Sequence, residues 1–238
     1  MRILLINPNT TAAVTEQAAA QVRRLVPAEV VAVTGRFGAA YIATRAACAI
    51  AAHAALDALA EHVAGCDGVY LACFGDPGLL ALKEVSPVPV IGMAEAALHL
   101  ACLRGRRIGV VTGGALWKPM LEEFAAAQGL AGRLAGIRTI APTGGEIARD
   151  PDAALSRLAA ACRAGAEDDG ADVVVLGGAA LAGLAARIQP DVPVPVICSV
   201  EAGARMMLAA LAVPVGAPPP PSRSTGLSPA LARLLGGD

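Results

Sequence analysis

Aromatic residues are scarce in this 238-residue chain: one Trp, two Tyr and three Phe make up 3% of it. Such a composition suits helices packed over parallel strands better than an aromatic-rich binding surface. Long apolar runs are also missing. No stretch approaches the roughly 18 residues that span a bilayer, because Arg, His, Asp or Gly interrupts each one. The six cysteines, at 48, 66, 73, 102, 162 and 198, form no CxxC pair and no Cys/His cluster with zinc spacing. That pattern indicates neither a disulfide framework nor a structural metal and predicts free thiols. Neither sign of charge is in excess. A net charge of −1 with mixed signs argues against a nucleic-acid partner and makes small molecules the expected ligand class. Met1 to Asn7 carries one charge and then a short apolar run, with no small-residue cleavage pattern behind it. It reads as a first strand rather than a signal peptide and points to the cytoplasm.

What is present is an apolar share of 55%, mostly Ala, Leu and Val, ample for a buried core at this length. Short apolar runs at 3–6, 29–34, 68–72, 88–91, 108–111, 136–140, 172–176 and 194–197 are predicted strands. Ala-rich segments of helical period follow them at about 10–26, 42–63, 78–85, 93–104, 116–128, 151–168, 180–188 and 200–212. This alternation predicts parallel sheets with crossover helices. The chain also repeats itself. At an offset of 105 residues, Ile3-Leu4-Leu5-Ile6-Asn7 falls on Ile108-Gly109-Val110-Val111-Thr112, and the Asp67–Cys73 segment falls on Asp172–Gly178. With one inserted residue, Val88-Pro89-Val90-Ile91 matches Val194-Pro195-Val196-Ile197, and Glu95 matches Glu201. Two similar units follow: 1–93 plus 200–212, and 94–199. Beyond them, 213–238 is Pro-rich and is expected to be mobile, with a short helix from Ser228 to Leu235.

In parallel α/β sheets a ligand sits outside the carboxyl ends of the strands, so Asn7, Cys73, Thr112 and Gly178 can border one site. Pro8 fixes its own φ after Asn7, and Asn9 or Thr10 is suited to cap the following helix. Four polar side chains in that turn exceed what a cap needs, and the surplus suits a carboxylate or imide carbonyl. Cys73 ends a strand, a Gly-bearing turn follows, and Pro77 opens a helix. A thiol there is expected to feel the positive helix end, which moves its pKa from about 8.5 towards neutrality. Cys48, Cys66, Cys102 and Cys162 read as inert thiols, and Cys198 is intermediate because it too ends a strand. His53, His62 and His99 fall in predicted helices and match no catalytic pattern. Tyr41 and Arg45 precede the second helix and are set aside as packing or solvated residues.

Asn7-Pro8-Asn9-Thr10-Thr11, Cys73-Phe74-Gly75-Asp76-Pro77-Gly78-Leu79 and Leu176-Gly177-Gly178-Ala179-Ala180-Leu181-Ala182-Gly183-Leu184 together resemble the hydantoin racemase branch of the aspartate/glutamate racemase superfamily. The resemblance runs from residue 1 to about 212. It implies two pseudo-symmetric Rossmann-like units with parallel four-stranded sheets facing a central cleft. It further implies no cofactor or metal, a homo-oligomer as an option, and two cysteines on opposite sides of a substrate carbon. Cys73 matches the first cysteine. The second falls at Gly178, which has no proton to give, and two-base racemisation needs an acid and a base of matched strength. Cys198, Asp76, Glu95, Glu201 or a bound water remain as substitutes.

The expectation is therefore a racemase-like proton transfer at a carbon alpha to a carbonyl, with Cys73 as the catalytic group. The substrate is a small compound with a carbonyl or carboxylate, such as a hydantoin or an amino acid. Asn7, Thr10, Phe74, Thr112, Gly113, Gly178 and Ala179 would line its site, with an amide nest at 177–179, and Cys198 is the first candidate for a second proton carrier. Single-cysteine decarboxylation, cis–trans isomerisation and a non-catalytic binding protein stay open as alternatives.

Overall fold

A computed structural model describes residues 1–217, 219–221 and 224–236. Strands β1 (Arg2–Asn7), β2 (Glu29–Thr34), β3 (Gly68–Leu71) and β4 (Val90–Gly92) form one parallel sheet in the order β2-β1-β3-β4. Strands β5 (Ile108–Gly113), β6 (Leu134–Ile140), β7 (Val173–Leu176) and β8 (Val196–Cys198) form a second sheet in the matching order β6-β5-β7-β8. The repeat read from the sequence is therefore physical. Ile3 pairs with Gly68 in the first sheet and Ile108 with Val173 in the second, each residue displaced by 105 from its counterpart.

The helices are α1 (Ala12–Leu25), α2 (Arg45–His62), α3 (Leu79–Val85), α4 (Met93–Cys102), α5 (Trp117–Ala127), α6 (Gly144–Arg149), α7 (Pro151–Glu167), α8 (Leu184–Ile188), α9 (Ser199–Ala210) and α10 (Pro229–Leu234). Strand alternation divides the core. Ile3, Leu5, Tyr70 and Ala72 face a large cluster that continues into the second unit, whereas Leu4, Ile6, Val69 and Leu71 face a smaller one under α2 and α3. A strand buried on both faces reads as a continuous apolar run because covering helices occupy both sides. The helix after each fourth strand reaches across: α9 lies against β3 and β4, α4 against β5 and β7, and α4 and α9 pack on each other.

Two short helices lie outside the repeated strand–helix pattern. Helix α6, too short and Gly-rich to show a helical period, is held by a capping box in which Thr143 N–H donates to Glu146 Oε2 at 2.8 Å. In the terminal segment the short helix expected from Ser228 to Leu235 is present as α10, packed on α2. Ser228 caps α10, accepting from Leu231 N–H at 3.2 Å, and Leu231 is buried against α2 at 2% exposure. The apolar edge of α10 thus covers the smaller core, which outweighs the disordering tendency of the prolines before it. Within that segment 218, 222–223 and 237–238 lie outside the described residues.

Candidate active site

The carboxyl ends of β1, β3, β5 and β7 converge on one pocket of about 650 Å³, part of it open to solvent. On the first unit's side, the turn after β1 is built by Asn7. That residue is wholly buried, and its amide donates to Asn9 Oδ1 and to Thr15 Oγ1, both at 2.9 Å. Asn9 N–H donates back to Asn7 Oδ1 at 3.3 Å. Gly35 closes against this turn with its N–H on Asn7 O at 2.8 Å, where a Cβ would stand only 2.6 Å from Pro8 O. The side chain of Asn7 is thus spent on holding the loop, and it is Asn9 and Thr11 that line the pocket. The expected cap by Asn9 or Thr10 does not form. Asn9 Oδ1 accepts from Thr11 N–H at 2.8 Å, Thr11 itself precedes α1, and its hydroxyl donates to Ala40 O at 2.9 Å. Thr10 is exposed and outside the pocket lining.

Cys73 follows β3, anchored by Ala72 N–H on Ile6 O at 2.7 Å, and lines the pocket with 7% of its surface exposed. The helix expected to acidify it begins only at Leu79, after a loop in which Asp76 takes a positive φ of 47°. Burial instead pushes the Cys73 thiol well above its ordinary pKa, and negative charge on Asp76 and Cys48 acts in the same direction. The sequence expectation is reversed because the low-dielectric surroundings penalise a thiolate. Asp76 is turned away from the pocket: its two oxygens accept from Ala94 N–H at 3.0 Å and Glu95 N–H at 2.7 Å, at the start of α4. Burial raises this carboxyl to about 7 against the pull of those amides.

The second unit contributes Thr112, Gly113, Gly177, Gly178, Ala179, Ala180 and Leu181. The nest expected at 177–179 is largely consumed. Gly177 N–H goes to Val111 O at 2.9 Å and Gly178 N–H to Ser199 Oγ at 3.1 Å. The next two amides, Ala179 and Ala180, open a 3-10 turn over Ala179–Leu181 and have no partner within it. The nearest neighbours of a Cβ at Gly178 would be Leu181 at 3.5 Å and Thr112 Oγ1 at 3.9 Å, ordinary contact distances, so this wall has room for a side chain there. Gly177 is different: the Phe74 ring occupies the space of a Cβ there.

Two further aromatic side chains close the pocket: Tyr41, which the sequence reading sets aside, and Trp117, which it does not name. Tyr41, from the loop after β2, crosses to the second unit and donates to Gly113 O at 3.2 Å. Trp117 begins α5 and lines the pocket beside it. Burial pushes the Tyr41 phenol up, while a hydrogen bond with Trp117 pulls it down. The signal was partial: they are two of only six aromatic residues, and Trp117 stands just past the end of β5, whereas Tyr41 lies in the longer loop after the edge strand β2.

Of the predicted residues, the structure brings together Cys73, Phe74, Thr112, Gly113, Gly178 and Ala179, and leaves out Asn7, Thr10 and Cys198. Cys198 is buried elsewhere, in a separate depression with Leu100, Arg104, Glu201 and Arg205. Glu201 binds Arg205 and Gln21, each at 3.0 Å, and Glu95 pairs with Lys83, so these acids are also engaged away from the pocket. Among the described residues the lining holds no Lys, Arg, His, Asp or Glu; its ionisable side chains are Cys73 and Tyr41. Among the described residues of the whole chain, no group of three or more His, Cys, Asp or Glu is placed to hold a metal ion, and no helix is long and apolar enough to cross a membrane.

Residues 3–207 match the family described as Asp/Glu/Hydantoin racemase. A hydantoin racemase of Paenarthrobacter aurescens is 35% identical over 212 residues, covering 87% of this chain and 89% of that one. Among solved structures, an allantoin racemase from Pseudomonas fluorescens is 31% identical with a TM-score of 0.90, covering 95% of this chain and 100% of its own. One from Klebsiella pneumoniae is 32% identical, also with a TM-score of 0.90, covering 97% and 98%.

Proposed function

The chain belongs to the Asp/Glu/hydantoin racemase family, and from that premise we propose that it moves a proton at a carbon alpha to a carbonyl in a small uncharged ring of the hydantoin type, with Cys73 carrying the proton. The observation that supports this reading is a thiol at a strand end, in a pocket with no charged side chain in its lining. A free amino acid or a dicarboxylate would bring a carboxylate into surroundings that offer no cation, at a desolvation cost. A neutral cyclic imide needs only hydrogen bonds to its carbonyl oxygens. Thr112 Oγ1, the Asn9 amide and the Ala179 and Ala180 N–H groups are the available donors.

In this mechanism the C–H bond breaks, its electron pair passes into an enolate, and the proton goes to the Cys73 sulfur. The donors on the second unit's wall hold the oxygen on which charge develops. The raised thiol pKa means that the base form is a minority at neutral pH and that turnover rises into the alkaline range. The step as proposed uses only groups of the protein.

Gly178 favours a second reading, in which Cys73 protonates one face only, as a decarboxylase would. The two carboxylates of a malonate-type substrate would, however, find no cation among the lining residues. The test is solvent deuterium entry at C5 of an enantiopure 5-substituted hydantoin, followed by NMR, for the wild type and Cys73→Ser. The wild type should catalyse exchange, and the variant should lose about two orders of magnitude or more. Unchanged exchange in the variant would remove Cys73 from the mechanism.

A further inference from the structure

We propose that Tyr41 is the second proton carrier of this pocket, acting on the face of the substrate carbon opposite Cys73. The inference rests on the hydantoin-type reading and supplies what Gly178 leaves out. Position 178 bears no proton donor, and the other candidates read from the sequence are engaged elsewhere. Asp76 caps α4, Glu95 pairs with Lys83, Glu201 is bound by Arg205 and Gln21, and Cys198 lies in another depression. Tyr41 is the one ionisable side chain besides Cys73 among the described residues of the lining.

Its placement is across the cleft from the thiol's own strand. The Tyr41 loop leaves the first sheet after β2, yet its hydroxyl is bound at the second unit's wall, on Gly113 O at 3.2 Å, and occupies the space that a Cβ at Gly114 would need. The residue before Gly113 is Thr112, whose Oγ1 is 3.9 Å from the Cβ position of residue 178. The phenol is thus held at the β5 end of the second unit's wall, in the same pocket that Gly178 leaves without a side-chain proton donor. Burial disfavours the charged form of both groups, the thiolate of Cys73 and the phenolate of Tyr41. Hydrogen bonding with Trp117 favours the phenolate that protonation of the substrate leaves behind.

The step balances as follows. The substrate C–H proton passes to the Cys73 thiolate, the enolate takes the Tyr41 O–H proton on its other face, and the phenolate and thiol return to their starting states by exchange with water. The reverse direction uses the same groups with roles exchanged.

The test measures two rates in one sample of the full chain: inversion of an enantiopure 5-substituted hydantoin by chiral chromatography, and deuterium entry at C5 by NMR. Tyr41→Phe should depress inversion by about two orders of magnitude or more, the range for losing a general acid, and depress exchange far less. A Tyr41→Phe protein whose ratio of inversion to exchange equals that of the wild type overturns the proposal, as does a wild type that exchanges without inverting. If Tyr41→Phe does not fold, 3-fluorotyrosine incorporated in its place decides. A more acidic phenol should shift the pH profile of inversion but not that of exchange, and identical profiles refute the role. Failure of Cys73→Ser to reduce exchange would instead sink the underlying reading, so the two failures are distinguishable.

Discussion

Asp76→Asn probes how the loop carrying Cys73 is held. In the folded chain the carboxyl is buried at the start of α4, accepts from Ala94 and Glu95, and titrates at about 7 rather than 3.8. A carboxyl raised on folding binds protons in the native state that the unfolded chain has already released. Stability therefore falls as pH rises from about 4 to about 7. A shift of about three units at ~1.4 kcal/mol each amounts to about 4 kcal/mol lost across that window. Asparagine matches the protonated acid in shape and keeps one acceptor oxygen, so near pH 4.5 the two proteins should differ by no more than about 1–3 kcal/mol. By pH 8 the variant should have gained about 3 kcal/mol relative to the wild type, the part of that change lying above pH 4.5. Urea unfolding followed by circular dichroism from pH 4.5 to 8, under reducing conditions, measures both curves. A wild type that gains on the variant as pH rises would refute the reasoning and show that the α4 amides outweigh burial at Asp76.

Two further outcomes are expected. Thr112→Val keeps the shape of the β5 end and removes a hydroxyl at the pocket; kcat for hydantoin exchange should fall by about 10² while the urea midpoint moves little. Leu231→Ala empties a site with 2% exposure under α10 and should cost about 2 kcal/mol in urea unfolding, whereas a mobile tail would cost nothing measurable.

The strands and the duplication were legible because buried parallel strands are short apolar runs and a repeat keeps its offset. Ile3 to Ile6 and Val173 to Leu176 could hardly be read otherwise. Cys73 was legible because its strand delivers it to a carboxyl edge. Its proton affinity was misjudged because sequence shows the helix that follows but not the hydrocarbon around the sulfur, nor the turn that brings Asp76 beside it. Asn7 and Asn9 show another limit. Both are polar residues in one turn, and only the hydrogen-bond network reveals that Asn7 builds the turn while Asn9 faces the pocket. Tyr41 and Cys198 illustrate the same point across greater distance. A loop residue set aside reaches the site, and a strand-end thiol one strand further along does not, because α4 and α9 lie over the β8 end.

The central claim, that Cys73 and no other thiol meets the substrate, is tested most directly by peptide-resolved alkylation with a small neutral reagent. Labelling of Cys73 should rise with pH well beyond neutrality, and a 5-substituted hydantoin at about ten times its Kd should slow it about tenfold while leaving Cys102 and Cys198 unaffected. Labelling of Cys73 that is indifferent to the hydantoin, or protection that falls on Cys198 instead, would contradict the account.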